Sequence, residues 1–397
     1  MARQSILLLS DQPGWSQRVL TWPDFDAHHC ASAEEARALL TGSRPWAVLL
    51  IDGAHHAADR DLIALATTSG SRPVVVESRN IAIDWGGLGA HSILGADFDQ
   101  ADLMSTLSNP SATVAATSAE CPLVCVTGSG GTGASTVAIA LSQGLASRPS
   151  RVLLADFRRH AELHVLHHLD PHGPGIGDLV EAHRTSSPDA MTLAELPAAV
   201  PRGYRVLTGL RRAVGWSSLR PRALAAALRG LRSAYDIVVC DVDPDLEGEA
   251  EGGSCDVEER NSLSRTAVTN AACVVVVGGP GAKGAHSLLR VLGELWAHGV
   301  DPRQTVAVVN RGDRVSIQRL GTALAQLGGQ DTTKLVLPEL DLEPLLFAGA
   351  PLPEALVSTV TDAVLSMLSV EPRSGTPNLG APKPERITPG SLGTGPH

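Results

Sequence analysis

The chain has 397 residues, 43% hydrophobic and 19% charged, a composition that suits a soluble globular protein of two or three domains. No apolar run approaches the roughly 18 residues of a membrane span, which argues against a helical membrane protein. The formal net charge of −10 opposes non-specific attraction to DNA or anionic lipid over the whole surface, leaving only a local patch for such contacts.

The N-terminal stretch MARQSILLLSDQPGW has a short apolar run without the layout of a cleavable signal, so it reads as a first strand and the expected setting is cytoplasmic. Residues 1–110 alternate strand patterns (SILLLS, WAVLLID, RPVVVES, AHSILG) with Ala/Leu-rich helical ones such as SAEEARALLTG. Alternation of this kind predicts a parallel sheet covered by helices. Residues 111–120, SATVAATSAE, are small and polar and read as a linker.

A second α/β series runs over 121–370 with strands PLVCVTG, RVLLADF, YRVLTG, YDIVVCDV, ACVVVVGG, TVAVVN and KLVLP. Continuous Val/Leu/Ile runs suit strands buried on both faces. Cys125, Cys240 and Cys273 fall inside these runs, and no two of the six cysteines form a C-x-x-C pair, so buried reduced thiols are expected. The acidic, Gly-containing segment 243–261 is expected to be a surface loop. The Pro/Gly-rich tail, 371–397, has little to bury and reads as disordered.

TGSGGTGASTV, residues 127–137, carries the glycine spacing of the Walker A pattern G-x-x-x-x-G-K-[ST] between a strand and a helix. Gly128, Gly133 and Ser135 occupy their places; Ala134 stands where the lysine belongs. Glycines allow backbone N–H groups to turn inward around a phosphate, and the helix N-terminus adds positive partial charge. Ser135 could reach Mg²⁺ and Thr136 could donate to a neighbouring phosphate.

This series resembles the ParA/MinD class of P-loop ATPases, whose loop reads K-G-G-x-G-K-[ST]-T. Here it reads Ser129-Gly130-Gly131-Thr132-Gly133-Ala134-Ser135-Thr136, with both lysines replaced, by Ser129 and by Ala134. The resemblance, which spans residues 121–368, implies ATP with Mg²⁺ as cofactor. It makes the segment Gly128–Thr136 the phosphate contact, with Ser135 and Asp241 around the metal and Asn310 near adenine. RVLLADFRRHAELH is similar to the class's switch I region: Asp156 matches its first acid, and Arg158 replaces its second. Asp156 and Asp241 are the candidate acids for positioning Mg²⁺ or water. A hydrogen bond to a charged group contributes roughly 1.5–3 kcal/mol, so losing the Walker lysine weakens binding about 10- to 200-fold. Hydrolysis is hit harder, because positioned cations stabilise the charge of the transition state. Weak nucleotide binding, a purely structural loop and a competent ATPase using other cations, with Arg158 or Arg159 compensating, stay open as alternatives.

Residues 1–110 resemble a response-regulator receiver, a flavodoxin-like fold. Asp52 ends a strand where receivers carry their phosphoacceptor, Asp11 sits at the acidic Mg²⁺ position beside Ser10, and Ser78 matches the hydroxyl. Ala96 stands at the lysine of the pattern G-A-x-x-Y-L-x-K-P-F-D, so the resemblance implies a pseudo-receiver used for docking rather than ordinary phosphorelay.

A degenerate receiver before a ParA/MinD-like domain is the arrangement of CpaE/TadZ localisation proteins, and the chain looks most like the CpaE-like septum site-determining proteins of high-GC bacteria. That resemblance implies a spatial regulator of septum placement or of pilus/secretion machinery, acting through protein partners, with a homodimer compatible with the class and recruitment to septum or pole. An active ATPase switch is the alternative, and a DNA-associated protein the second. The helix PEALVSTVTDAVLSML lacks basic residues and reads as a core helix, not a membrane anchor.

Two clusters complete the reading. His160, His164, His167 and His168 have near-helical spacing, but no carboxylate or cysteine completes a metal set, so solvated or partner-facing imidazoles are expected. Residues 202–232 hold eight arginines and no acid. They read as a solvated rim, a partner surface or, with no interleaved aromatics to support it, a DNA surface.

Overall fold

A computed structural model describes residues 3–11, 13–77, 83–108 and 120–368. Ser78, nearly all of the expected linker and the expected tail lie outside these residues.

The first sheet holds β1 (Gln4–Leu9), β2 (Phe25–Cys30), β3 (Val48–Asp52), β4 (Arg72–Glu77) and β5 (Ser92–Gly95). All pairings are parallel, in the order β2-β1-β3-β4-β5, one of the two common doubly wound orders. Leu7, Leu9, Leu49 and Ile51 face one apolar layer while Ile6, Leu8, Val48 and Leu50 face the other. The sequence reading has no strand at Phe25–Cys30, whose interior residues Asp26, His28 and His29 give no apolar run.

The second sheet holds β6 (Leu123–Gly128), β7 (Val152–Phe157), β8 (Ala198–Ala199), β9 (Arg205–Leu207), β10 (Ile237–Val242), β11 (Cys273–Gly278), β12 (Thr305–Asn310) and β13 (Thr333–Leu337). Its order is β13-β12-β11-β6-β10-β7-β9-β8, parallel except for the short β8–β9 pair. Every residue of β6, β7, β10 and β11 is buried. Alternation divides them between two layers. Leu123 and Cys125 join the helix Pro221–Ala234, whereas Val124 and Val126 join the helices Ala134–Ala146 and Glu354–Leu368. Glu354–Leu368 is thus the core helix expected, with Val357, Val360 and Val364 buried. Cys125, Cys240 and Cys273 are buried free thiols.

Segment 243–261 lies largely at the surface, as expected, but it is not all loop. It forms two short helices, Glu249–Gly252 and Cys255–Arg260. Their ends are tied by Glu251 accepting from the Gly248 amide at 2.8 Å and Glu258 accepting from the Glu249 amide at 3.1 Å. Asn261 is buried and donates to the Glu247 carbonyl at 2.9 Å.

The tripeptide Asp59-Arg60-Asp61 joins the first sheet unit to the second. Arg60 donates to the carbonyls of His183 at 2.9 Å and Ser186 at 3.1 Å. Arg184 pairs with the buried Asp59 at 3.2 Å. Asp61 accepts the backbone amides of Arg222 and Ala223, at the start of a helix whose own N-cap residue, Arg220, offers no side-chain cap.

Candidate functional site

β6 ends in Gly128 and the chain turns through Ser129–Gly133 into the helix Ala134–Ala146. A Cβ on Gly128 would collide with the Val277 carbonyl of β11, so glycine permits the close approach of the loop's root to its neighbour strand. Gly133 has φ +89° and a Cβ there would lie 2.5 Å from Asn310 Nδ2. The loop is held by several bonds. Thr132 Oγ1 donates to the Ser129 carbonyl at 2.7 Å, Asn310 Nδ2 to the Thr132 carbonyl at 2.9 Å, and Arg311 Nη2 to the Gly131 carbonyl at 2.9 Å. Ser129 and Ser287 share a hydroxyl–hydroxyl bond that ties the loop to the helix Gly281–Ala297. Ala134 is buried. No side chain caps the helix it starts, so the first-turn amides remain for an anion. Asn310 is placed against the loop, with its Oδ1 taken by the Arg311 amide at 3.0 Å.

Asp156 on β7 and Asp241 on β10 are register partners, both buried. Asp156 accepts from the amides of Arg158, Glu162 and Leu163 at 3.2, 3.0 and 3.0 Å, so it organises the turn after β7. Neither oxygen of Asp241 is in a hydrogen bond of good geometry. Its counter-charge is Arg158, with Nη1 at 3.5 Å from Asp241 and Nε at 3.5 Å from Asp243. Arg159 stands alongside, its amide donating to Asp243 at 2.8 Å and its Nη2 to Asp245 at 3.1 Å. Burial pushes the Asp156 carboxyl up, and the charge on Asp241 adds to it. Burial also raises Asp241, against the opposing pull of Arg158 and the Ser135 hydroxyl.

These residues divide in their fit to a magnesium nucleotide. The uncapped helix start and the glycine turn fit a phosphate. The orphaned oxygens of Asp241, near Ser135, have the right chemistry for a hard cation, but the Arg158 guanidinium already supplies the positive charge there.

In the first sheet unit, Asp52 is buried and accepts from the Ala54 amide at 2.9 Å and from Ser10 Oγ at 3.5 Å. Asp11 lies 3.3 Å from Nε2 of the buried His55, and the ligand atoms of Asp11, His55 and His56 fall within 4.8 Å of one another. His55 Nδ1 accepts from the Ala57 amide at 3.0 Å, so in the neutral ring Nε2 carries the proton and gives it to Asp11. A metal would need the lone pair that this tautomer lacks. Beside Ala96, Arg18 Nη2 donates to the Ala96 carbonyl at 2.7 Å.

The histidine and arginine clusters change meaning. Only Leu163–Leu166 is helical in the histidine stretch, so the four rings share no helix face. His167 is buried, against expectation: Nδ1 donates to the Leu163 carbonyl at 2.8 Å and Nε2 accepts from Tyr204 Oη at 2.8 Å. The arginines of 202–232 form no single solvated rim. Arg202 is buried and bonds three carbonyls, those of Ala350, Leu345 and Leu166; Arg232 donates to the Cys121 carbonyl, and Arg211 pairs with Asp178. Arg212 instead joins Arg159, His160, His164, Thr208 and Arg211 around a half-open cavity of about 310 Å³ that sequence order gave no means of finding.

No protein-family model matches the chain, and no curated protein matches it. Solved structures do. A ParA family ATPase from Chlorobium tepidum superposes with a TM-score of 0.50 at 14% identity, over 62% of this chain and 98% of that one. The septum site-determining protein MinD of Pyrococcus horikoshii, complexed with Mg-ADP, matches at 0.47 and 17% identity over 64% of this chain and 99% of its own. A putative plasmid partition protein of Borrelia burgdorferi bound to AMPPNP matches at 0.47 and 15% identity over 63% and 98%. The likeness to the first is one of fold: the second sheet unit has the ParA-type α/β architecture.

Proposed function

We propose that the chain is a positional regulator, of the CpaE-like kind, in which a P-loop unit acts through protein partners rather than by turnover. Its partners would belong to the division or the pilus/secretion machinery, and nucleotide, held weakly by the loop amides of Gly128–Thr136, would tune its conformation or homodimerisation. The first sheet unit would serve as a docking pseudo-receiver, since Asp52 is buried and Ala96 replaces the lysine.

The observation that carries this reading is Arg158. A loop without lysines leaves phosphate charge unmatched, and the acid that would complete a Mg²⁺ site is paired with a cation from the same chain. Such a site retains amide contacts to phosphate but lacks the positioned charges that stabilise phosphoryl transfer.

Phosphate release is the test, measured on the parent beside Ala134→Lys and Asp241→Ala. The proposal expects no turnover in the parent. Turnover there, abolished by Asp241→Ala, overturns it in favour of an ATPase switch. Calorimetry with Mg-ATP on the same three proteins separates weak binding from an empty structural loop. A fluorescent fusion in dividing cells tests position, and diffuse signal without septum or pole enrichment counts against the spatial role.

A further inference from the structure

We infer that the cavity bounded by Arg159, His160, His164, Thr208, Arg211 and Arg212 binds a small phosphate-bearing ligand, at a site separate from the loop after β6. This inference does not rest on the function proposed above.

The cavity's volume of about 310 Å³ lies at the lower end of the range of small-molecule sites. Its lining concentrates three guanidinium groups and two imidazoles against one acid, Glu162, in a chain whose net charge is −10. The guanidinium of Arg212 makes no hydrogen bond or ion pair among the described residues. Arg159 pairs with Asp243 through Nε at 3.5 Å and with Asp245 through Nη2 at 3.1 Å. Arg211 engages Asp178 through Nη2 alone, at 2.9 and 3.0 Å. Two separate chain segments thus bring guanidinium groups to this space, with that of Arg212 unspent among the described residues.

The choice of ligand class follows from counting donors. A carboxylate offers two oxygens and is satisfied by one guanidinium fork. A phosphate offers three or more oxygens with up to two charges, and suits several planar forks at once. The Thr208 hydroxyl at the wall already donates its proton to the Pro174 carbonyl at 3.2 Å, so the guanidinium groups supply the donors. Leu210 and Pro171 supply limited apolar surface for a compact organic part. No Phe, Tyr or Trp side chain lines the space.

Position separates this site from the loop. In the order β6-β10-β7-β9, the loop follows β6 whereas the cavity lies at the ends of β7 and β9. At ~4.8 Å per strand, at least about 10 Å lies between them. Arg159 belongs to the cavity and also holds Asp245 at 3.1 Å, so a bound phosphate competes with Asp245 for it.

The probe is sodium pyrophosphate on the full chain, by calorimetry and thermal shift at matched ionic strength, with inorganic phosphate, glycerol phosphate and succinate in parallel. Arg212→Glu inverts the cavity's unpaired charge, with Arg212→Gln as the milder variant. Gly130→Glu places a negative charge at the loop, where a Cβ meets nothing within 4 Å. The inference expects Arg212→Glu to weaken pyrophosphate binding about tenfold or more, Arg212→Gln less, and Gly130→Glu to change it less than about twofold. Preference for glycerol phosphate over inorganic phosphate would mark an ester as the ligand; the reverse would mark the free ion. Three results overturn it: no binding up to about 10 mM pyrophosphate, binding lost in Gly130→Glu but kept in Arg212→Glu, or succinate binding as well as pyrophosphate.

Discussion

Arg158 sets its Nη1 3.5 Å from an oxygen of Asp241, across the gap between the end of β7 and its neighbour β10. The carboxylate is fully enclosed and otherwise lacks hydrogen bonds, so the guanidinium is its principal compensation. Removing one member of a buried pair leaves an uncompensated charge. Arg158→Gln is therefore expected to destabilise the protein by about 3 kcal/mol, and Arg158→Gln with Asp241→Asn by much less. Urea denaturation of the single and double variants checks this.

Asp156 and Asp241 both hold their protons more firmly folded than unfolded, because burial raises both, with the charge on Asp241 adding to Asp156 and that on Asp243 adding to Asp241. When the native state binds more protons, stability falls as pH rises. The pair thus contributes a falling slope that begins near the ordinary carboxylate value and ends at the raised ones. Asp241→Asn is expected to flatten that slope, read as the difference in urea midpoint between variant and parent from pH 4 to pH 8.

His167 works in the opposite sense. Burial lowers its imidazole to about 4, and the Tyr204 hydroxyl donates to the nitrogen that would have to take the proton. The folded state binds fewer protons than the unfolded chain, so this contribution is complete above the unfolded value and is lost as pH falls toward 4. Tyr204→Phe is expected to cost about 1 kcal/mol at neutral pH and to raise the ring's midpoint. Histidine ring NMR across a pH series reads both states.

Asp61 supplies the missing cap of the helix Pro221–Ala234 from the other sheet unit, at 2.8 Å to the Arg222 amide and 3.1 Å to that of Ala223. Asp61→Ala is expected to cost about 1 kcal/mol and Asp61→Asn less, since an asparagine oxygen also caps. Denaturation curves measure the cost, and hydrogen exchange at the Arg222 and Ala223 amides localises it to this junction.

Much of the architecture was legible because buried parallel strands write themselves as Val/Leu/Ile runs, and because Gly128 and Gly133 mark a turn with few alternatives. The Asp241 position followed from the strand before it. Arg158 as its partner did not, since the contact depends on the register between β7 and β10, which lie eighty residues apart in sequence. The cap of Asp61 was hidden for the same reason: Arg220-Pro221 reads as a helix start with no local acceptor. Segment 243–261 misled through its glycines and acids, because Glu251 and Glu258, though exposed, also accept backbone amides that close short helices. His167 misled through composition, as nothing near it in sequence announces Tyr204.

The helix that Asp61 caps runs its 14 residues, about 21 Å, and the chain then bends at Tyr235 and Asp236 into β10. One continuous stretch of chain therefore has its near end fastened to the first sheet unit and its far end at Asp241. One helix, one two-residue bend and one strand are therefore all the chain that separates the junction at Asp61 from the carboxylate that Arg158 pairs with.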